Sequence, residues 1–341
     1  MLISEFDFQL PQELIAQSPL GDRDASRMLV VNRSDNSFAD HLFHDLPQQL
    51  AAGDVLVLNN TKVFPARLNG NLETGASIEL FLIDETDENV WTALARPGRR
   101  LKLGKVVRFA GGLSARILEK LDDGRVSVKF EANEAVFDAI EKVGATPLPP
   151  YINRGTIDDD RVRYQTVYAS RRGAIAAPTA GLHFTPEVLD AVRSRGVEIV
   201  EITLHVGYGT FEPVRVDDLD DHNVMAERYE VSERAAETLN SAMAGSHRIV
   251  AVGTTTTRAL ESSFSRHGQF VPEHSLADLT IRPGYRFVAV GALLTNFHLP
   301  KSSLLVLVST FGGHELIMNS YRHAVDARYR FYSYGDCMFI S

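Results

Sequence analysis

The chain has 341 residues, of which 44% are hydrophobic and 23% are charged, and its formal net charge at pH 7 is −9. This length and composition predict an ordinary globular protein with two domains, or with one domain that carries a large insertion. The single cysteine, Cys337, excludes an internal disulfide and a zinc site built from cysteines, so a reducing cytoplasm is the expected location. No signal-peptide pattern opens the chain, and its longest apolar run, residues 304–308, is too short to span a bilayer.

Two segments, residues 1–63 and 149–341, alternate between predicted strands and predicted helices. Thr185 and Ser232 are the expected N-caps of two of these helices, because their hydroxyls can accept a hydrogen bond from a free N–H of the first turn. Residues 278–287 are also predicted as a strand. We therefore predict a discontinuous, large α/β domain with a mixed sheet.

The segment 64–148 between them has a different pattern. Short alternating apolar runs recur in it, and turns such as Gly111-Gly112 and Asp123-Gly124 separate them. This pattern is typical of a small antiparallel barrel or sandwich. We predict that residues 64–148 form a small antiparallel β-barrel domain inserted into the α/β domain.

Three junctions between a predicted strand and a turn are rich in small residues: PTAGLHF, LHVGYGT and VAVGTTTTRAL. Ligands bind at the carboxyl ends of strands in α/β sheets, and small residues let the backbone approach a ligand closely. The four threonines at 254–257 are suited to hold a carboxylate or simply to cap a helix, and both interpretations remain open here. The dinucleotide and triphosphate-loop glycine patterns are absent from the sequence, so those chemistries are not indicated.

Histidines lie beside these junctions, at positions 183, 205, 222 and 298. An imidazole titrates near neutrality and suits proton transfer, although a lone histidine is more often structural. Glu227 is the candidate carboxylate, and a solvated surface charge is its alternative. Neither an HExxH spacing nor a GxSxG motif occurs, so the sequence predicts no catalytic metal and no serine nucleophile of the common type.

Positive charge is clustered although the net charge is negative. The run ARPGRRLKLGKVVRF contains six basic side chains and no acidic one, and a second basic group precedes the first junction. A basic face on an acidic protein suits a nucleic acid held at defined points, and chance clustering is the alternative. The aromatic residues of RFYSYGD suit either stacking on unpaired bases or packing in the core.

Together these motifs resemble the S-adenosylmethionine:tRNA ribosyltransferase-isomerase family, which makes epoxyqueuosine in tRNA. The resemblance runs in order from the first residues to the last. It is carried by DRDASRMLV, VLNNTKVFPARL, PLPPYINR, DRVRYQTVYA, GAIAAPTAGLHFTPE, TLHVGYGTFEPV, VAVGTTTTRALES, PGYRF, LLTNFHLPKSSLLVLVS and YRFYSYGDCMFI.

The resemblance implies a large α/β domain with an inserted β-barrel. It also implies that the ribosyl part of S-adenosylmethionine moves onto 7-aminomethyl-7-deazaguanine at the wobble position of tRNA, with release of adenine and methionine. S-adenosylmethionine is then a substrate, and no prosthetic group or metal is expected. A monomer that does not contact a membrane is the expected state.

On this hypothesis the candidate residues take three roles. Acid–base work is assigned to His183, His205, Glu227 and His298. The substrate pocket is assigned to Thr179, Gly181, Gly207, Gly209, Thr210, Thr254, Thr255 and Arg258. Contacts with tRNA are assigned to Arg99, Arg100, Lys102, Arg171 and Arg172.

The sequence departs from the family pattern at one position. A second histidine often follows the one at position 222 by three residues, and here Met225 stands there, which cannot transfer protons. Two functions of other classes stay open at this stage. One is a tRNA-binding module without chemistry, and the other is a methyltransferase that uses the same S-adenosylmethionine.

Overall fold

A computed structural model describes residues 1–207, 209 and 214–341, apart from the side chain of Arg100. Within these ranges the chain forms a nine-stranded mixed sheet, a closed six-stranded antiparallel barrel and a two-stranded parallel sheet. The predicted mixed-sheet α/β fold with a small β-barrel is therefore confirmed. No helix in the described part of the chain is long and apolar enough to cross a membrane.

The strands are β1 Arg27–Asn32, β2 Ser37–Leu42, β3 Val55–Asn59, β4 Thr61–Val63, β5 Arg67–Leu72, β6 Ser77–Asp87, β7 Val90–Arg96, β8 Val106–Arg108, β9 Ser114–Lys120, β10 Val126–Glu131, β11 Arg171–Ala174, β12 Glu198–Leu204, β13 Glu227–Val231, β14 Ile249–Val252, β15 Glu273–Ala277, β16 Ala292–Asn296 and β17 Cys337–Ile340. The helices are α1 Val136–Val143, α2 Asp160–Arg163, α3 Pro186–Ser194, α4 Glu233–Ala244, α5 Thr254–His267, α6 Ser303–Gly312 and α7 His314–Asp326. Short 3-10 helices include Phe43–Gln49 and Thr179–His183.

The large sheet has the strand order β15-β13-β12-β3-β14-β16-β17-β1-β2. Four consecutive strands at its centre, β12, β3, β14 and β16, run parallel to one another. Every residue of β3, β14 and β16 is buried, because the sheet is covered on both faces. Since parallel strands end on the same side, the segments after these four strands meet along one edge of the sheet.

The barrel has the strand order β10-β7-β6-β5-β8-β9 and lies in sequence between β4 and β11. Its strands alternate between buried and exposed residues, as in β5 and β10, so one face of each strand fills the barrel interior. Leu68, Trp91 and Phe130 are among the buried side chains of this separate core. The domain bounds 64–148 themselves remain a prediction.

Side-chain caps begin several helices. Thr185 accepts a hydrogen bond from Val188 N at 3.3 Å and precedes Pro186, the first residue of α3. Ser232 accepts one from Ala235 N at the start of α4, and Ser302 accepts one from Leu305 N at the start of α6. The two caps predicted from the sequence are thus confirmed.

The strand predicted at 278–287 is wrong, because this segment has no regular secondary structure. Pro283 cannot donate to a ladder, and Gly284 adopts a positive φ of 93°. The irregular segment is held by the buried carboxylate of Glu261, which accepts hydrogen bonds from Tyr285 Oη and from three successive backbone N–H groups, those of residues 288–290.

Candidate active site

A cleft lies at the carboxyl ends of the central parallel strands. It is lined by Tyr151, Tyr164, Ala176, Ala177, Pro178, Thr179, Ala180, Val206, Gly253, Thr254, Thr255, Thr295, Asn296, Phe297, His298, Leu304, Tyr332 and Ser333. All three predicted junctions contribute to this lining, through Thr179, Val206 and Gly253. Its empty volume, with the open solvent at its mouth included, is about 590 Å³.

The start of α5 forms one wall of the cleft. Gly253 precedes the helix with a φ of 94°, a conformation that favours glycine, and so lets the chain turn directly from β14 into α5. Thr256 and Thr257 donate from their hydroxyls to the carbonyl oxygens of residues 252 and 253, at 2.7 and 3.1 Å. Thr254 and Thr255 instead line the cleft, so the four threonines divide into a structural pair and a cleft pair.

His298 is the predicted acid–base residue that lines the cleft. Its ring nitrogens lie 3.5 Å from Thr295 Oγ1 and 3.4 Å from Tyr321 Oη, and its backbone N–H donates to the same Tyr321 oxygen at 3.0 Å. Burial lowers the pKa of His298 to about 3. The imidazole is therefore neutral at physiological pH and able to accept a proton.

His183 lies behind the cleft and orients a residue that lines it. Asn296 Nδ2 donates to His183 Nε2 at 3.1 Å and to the carbonyl oxygens of Tyr332 and Asp336 at 3.2 and 3.5 Å. An amide nitrogen only donates, so Nε2 accepts and His183 Nδ1 carries the proton towards Ser26 Oγ, 3.0 Å away. Burial, followed by the charges of neighbouring arginines, lowers the pKa of His183 to about 4, which keeps this neutral tautomer.

The same contacts fix the orientation of the Asn296 amide, because a flipped amide would place its oxygen against two carbonyl oxygens. Asn296 is 3% exposed, and its Oδ1 has no hydrogen-bond partner in the part of the chain that the structure describes. Asn296 therefore brings an unused acceptor to the wall of the cleft.

Aromatic side chains form much of the remaining wall, and one of them, Tyr332, belongs to the aromatic segment RFYSYGD. The ring planes of Tyr151 and Tyr332 are inclined by 70° with centroids 3.8 Å apart, and the Tyr151 hydroxyl is hydrogen-bonded to Ser333 Oγ. Burial raises the pKa of Tyr151, Tyr164 and Tyr332, so their hydroxyls stay protonated. Tyr332 also has a φ of 74°, a strained backbone conformation that occurs often at functional sites.

Other predicted residues lie outside the cleft lining. Glu227 and Arg258 form a buried ion pair at 2.6 Å, and Arg258 also donates to the carbonyl oxygens of residues 225, 277 and 279. The second Glu227 oxygen accepts a hydrogen bond from Gly207 N at 3.1 Å. This pair anchors the segment that follows β12, next to Val206 in the cleft wall.

His205 is half-buried and lies 2.8 Å from Thr61 Oγ1 through its Nδ1. Burial and then the charge of Arg228 lower the pKa of His205. Gly181 packs against Tyr168, since a Cβ at this position would lie 2.1 Å from the Tyr168 hydroxyl. Neither His205 nor Gly181 lines the cleft, although the neighbouring residue of each does.

Gly209 packs against Met225, which is 50% exposed and lines a different groove together with His222. Thr210 lies outside the described residues, so the structure does not place this predicted site residue.

The predicted tRNA-binding residues lie at two places on the surface. Arg99 and Lys102 line a groove on the barrel together with Lys105. Arg171 and Arg172 are exposed on β11, where their closest carboxylates are 4.0 and 3.3 Å away. The side chain of Arg100 lies outside the described part of the structure. Among the described residues, no group of three or more His, Cys, Asp or Glu side chains is placed to hold a metal ion.

Comparisons with known proteins agree over the whole chain. The family model described as queuosine biosynthesis protein matches residues 3–340. The S-adenosylmethionine:tRNA ribosyltransferase-isomerase of Desulforamulus reducens is 46% identical over 342 residues, with all of both chains covered. The crystal structure of S-adenosylmethionine tRNA ribosyltransferase from Thermotoga maritima matches with a TM-score of 0.56 at 37% identity, covering 99% of this chain and 100% of that one.

Proposed function

The chain belongs to the queuosine biosynthesis protein family and is an S-adenosylmethionine:tRNA ribosyltransferase-isomerase, and we propose that its acceptor is 7-aminomethyl-7-deazaguanine at the wobble position of tRNA. The family predicted from the motifs is confirmed, and neither alternative function is favoured. In the proposed reaction the ribosyl group of S-adenosylmethionine moves to the aminomethyl nitrogen and becomes an epoxycyclopentane. Adenine and methionine leave.

The cleft is the proposed site for S-adenosylmethionine. The observation that carries this assignment is the convergence of all three junctions on one partly apolar cleft. The residues that line it include Tyr, Phe, Thr, Asn and Ser side chains but, among the described residues, no Asp, Glu, Lys or Arg. Aromatic faces attract a sulfonium cation, and the polar side chains are available to a nucleoside.

His298 is the proposed proton-transfer residue. The sulfonium charge acidifies the adjacent C5′ hydrogens, so the reaction needs a base at that carbon. The neutral imidazole of His298 is the proposed acceptor of this proton, and the imidazolium that forms is the proposed donor of the next one. The departing adenine is the group in this reaction that then needs a proton.

Asn296 is the proposed partner of the adenine amine, with His183 as the residue that positions it. Asn296 Nδ2 is committed to His183 and to backbone carbonyls, so its free Oδ1 is suited to accept an N–H hydrogen bond. Acid–base roles for His205 and Glu227 remain predictions, as does the substrate role of Arg258.

The basic groove on the barrel and the arginines of β11 are the proposed contacts with tRNA phosphates. The affinity for a nucleic acid falls as the salt concentration rises, and a plot of log affinity against log salt has a negative slope. Each phosphate contact that is lost makes this slope less steep by about 0.7–0.9. We therefore expect Lys102→Ala and Arg171→Ala to reduce this slope, whereas Lys129→Ala, an exposed change on β10, leaves it unchanged. If the slopes for Lys102→Ala and Arg171→Ala are unchanged, then tRNA binds at a different surface of the protein.

The reaction is tested by a single-turnover incubation with S-adenosylmethionine and tRNA that carries the aminomethyl base, followed by mass spectrometry. We expect epoxyqueuosine, adenine and methionine in equal amounts. His298→Ala should slow the reaction at least a hundredfold, whereas His274→Ala, at a side chain that is 81% exposed, should not. S-adenosylhomocysteine as the product would refute the proposal. Sedimentation of the same sample tests the proposed monomer.

A further inference from the structure

The first turn of α5 has free hydrogen-bond donors that face the cleft. The N-cap residue is Gly253, which has no side chain to accept from the first backbone N–H groups. Thr257 N is the first to bond within the helix, to Gly253 O at 3.1 Å. Three backbone N–H groups ahead of it, at the positive end of a 14-residue helix, are therefore left for another acceptor.

The side chains of Thr254 and Thr255 are an independent sign of a ligand at this place. They are 6% and 8% exposed, and both line the cleft. The hydroxyls of Thr256 and Thr257 are used by backbone carbonyls, whereas those of Thr254 and Thr255 bond to none of the described residues. Two side chains that are more than nine-tenths buried thus keep hydroxyls that no group in the described part of the chain uses, at the wall of the cleft.

The charge of the cleft indicates the sign of that ligand. Its lining contains no Lys or Arg among the described residues, and His298 is neutral because burial lowers its pKa to about 3. The N-terminal end of α5 thus gives the cleft wall its positive electrostatic potential, which comes from peptide dipoles rather than from a charged side chain. A small anionic group with two acceptor oxygens fits two hydroxyls and a set of parallel N–H groups.

We propose that the first turn of α5, with the hydroxyls of Thr254 and Thr255, binds the carboxylate of the methionyl part of S-adenosylmethionine. This inference rests on the proposed use of the cleft for S-adenosylmethionine. It fixes the orientation of that substrate, because the carboxylate then lies at the end of β14 and the nucleoside extends towards Asn296 and His298 at the end of β16.

The test compares two ligands, S-adenosylmethionine and its decarboxylated form, by calorimetric titration of the full chain. Thr254→Val and Thr255→Val remove a hydroxyl and keep the side-chain shape. Each is expected to weaken S-adenosylmethionine about tenfold and to leave the affinity for the decarboxylated form within twofold. Thr256→Val is the matched control in the same helix, because its hydroxyl already bonds to Val252 O. The melting temperature of each variant is measured in parallel to show that it is folded.

Three results would overturn the inference. One is an equal loss of affinity for both ligands in Thr254→Val and Thr255→Val, and another is the same selective loss in Thr256→Val. The third, measured by titrating the same variants with tRNA, is weaker tRNA binding with unchanged S-adenosylmethionine binding, which would assign the donors to a phosphate. A folded wild-type protein that binds neither ligand would instead refute the use of the cleft for S-adenosylmethionine, so the two failures are distinguishable.

Discussion

The two buried neutral histidines predict that the protein loses stability on mild acidification. The pKa of His183 is lowered from 6.5 to about 4 and that of His298 from 6.5 to about 3, in both cases chiefly by burial. Below pH 6.5 the unfolded chain binds protons at these two positions, whereas the folded chain stays neutral there. The stability that the neutral rings contribute is therefore complete above pH 6.5 and is lost as the pH falls towards 4.

The magnitude follows from the two shifts. At pH 5 the two histidines are almost fully protonated in the unfolded chain and almost fully neutral in the folded chain. Each histidine therefore lowers the free energy of unfolding by about 2 kcal/mol at pH 5 relative to pH 8. Carboxylates whose pKa is lowered in the folded state, such as Asp160, lose their contribution mainly below pH 4. The loss of stability between pH 6.5 and pH 4 is thus due mainly to the histidines.

Urea unfolding at pH 8 and pH 5 measures this effect. His183→Gln should reduce the difference in unfolding free energy between the two pH values by about 2 kcal/mol, even though the substitution itself destabilises the protein. His274→Gln, at a side chain that is 81% exposed, should leave that difference unchanged. If His183→Gln keeps the full wild-type pH dependence, then His183 is not held neutral by burial and the reasoning about its tautomer fails.

Four further substitutions test the structure around the cleft through the free energy of unfolding. Arg258→Met removes the cation that is paired with the buried Glu227 carboxylate and should cost about 3–5 kcal/mol. A cost below about 1 kcal/mol would contradict a desolvated ion pair. Gly181→Ala places a Cβ 2.1 Å from the Tyr168 hydroxyl and should cost about 1–3 kcal/mol. Tyr168→Phe should relieve part of that cost. If the effects of Gly181→Ala and Tyr168→Phe on the free energy of unfolding simply add in the double variant, the added Cβ does not clash with the Tyr168 hydroxyl. Ser232→Ala removes the cap of α4 and should cost about 1 kcal/mol with unchanged turnover, whereas altered turnover would couple α4 to the site.

Local patterns predicted the elements of the fold well. The apolar run before the junction VAVGTTTTRAL indicated β14, alternation indicated most strands of the barrel, and side-chain chemistry indicated the caps Thr185 and Ser232. The short strand β13 was missed because its register is set by β12 and β15, which are distant in sequence. The irregular segment after β15 was mistaken for a strand because its partners are distant side chains that no local pattern reveals: Leu279 O accepts from Arg258, and Tyr285 Oη donates to Glu261.

The cleft was predicted only in outline. Small residues after strands indicated its three junctions, because the geometry of parallel sheets brings strand ends together. Asn296 and Tyr332 were missed as site residues, since what marks them is a hydrogen-bond network and a strained φ that exist only in the folded chain. The sequence also could not divide four identical threonines into two that bond to the backbone and two that face the cleft.

The position of β17 in the large sheet has a consequence for folding. In the described strand order, β1 and β2 join the rest of the sheet only through β17. The backbone N–H of Arg27, at the start of β1, donates to Asp336 across 309 positions. Closing so long a loop is slow, because its entropy is lost before the contacts form. During synthesis the β1–β2 hairpin therefore emerges early, but its partner β17 is made only when nearly the whole chain has been synthesised. Until then the free edge of β1 is open to pairing with strands of other chains.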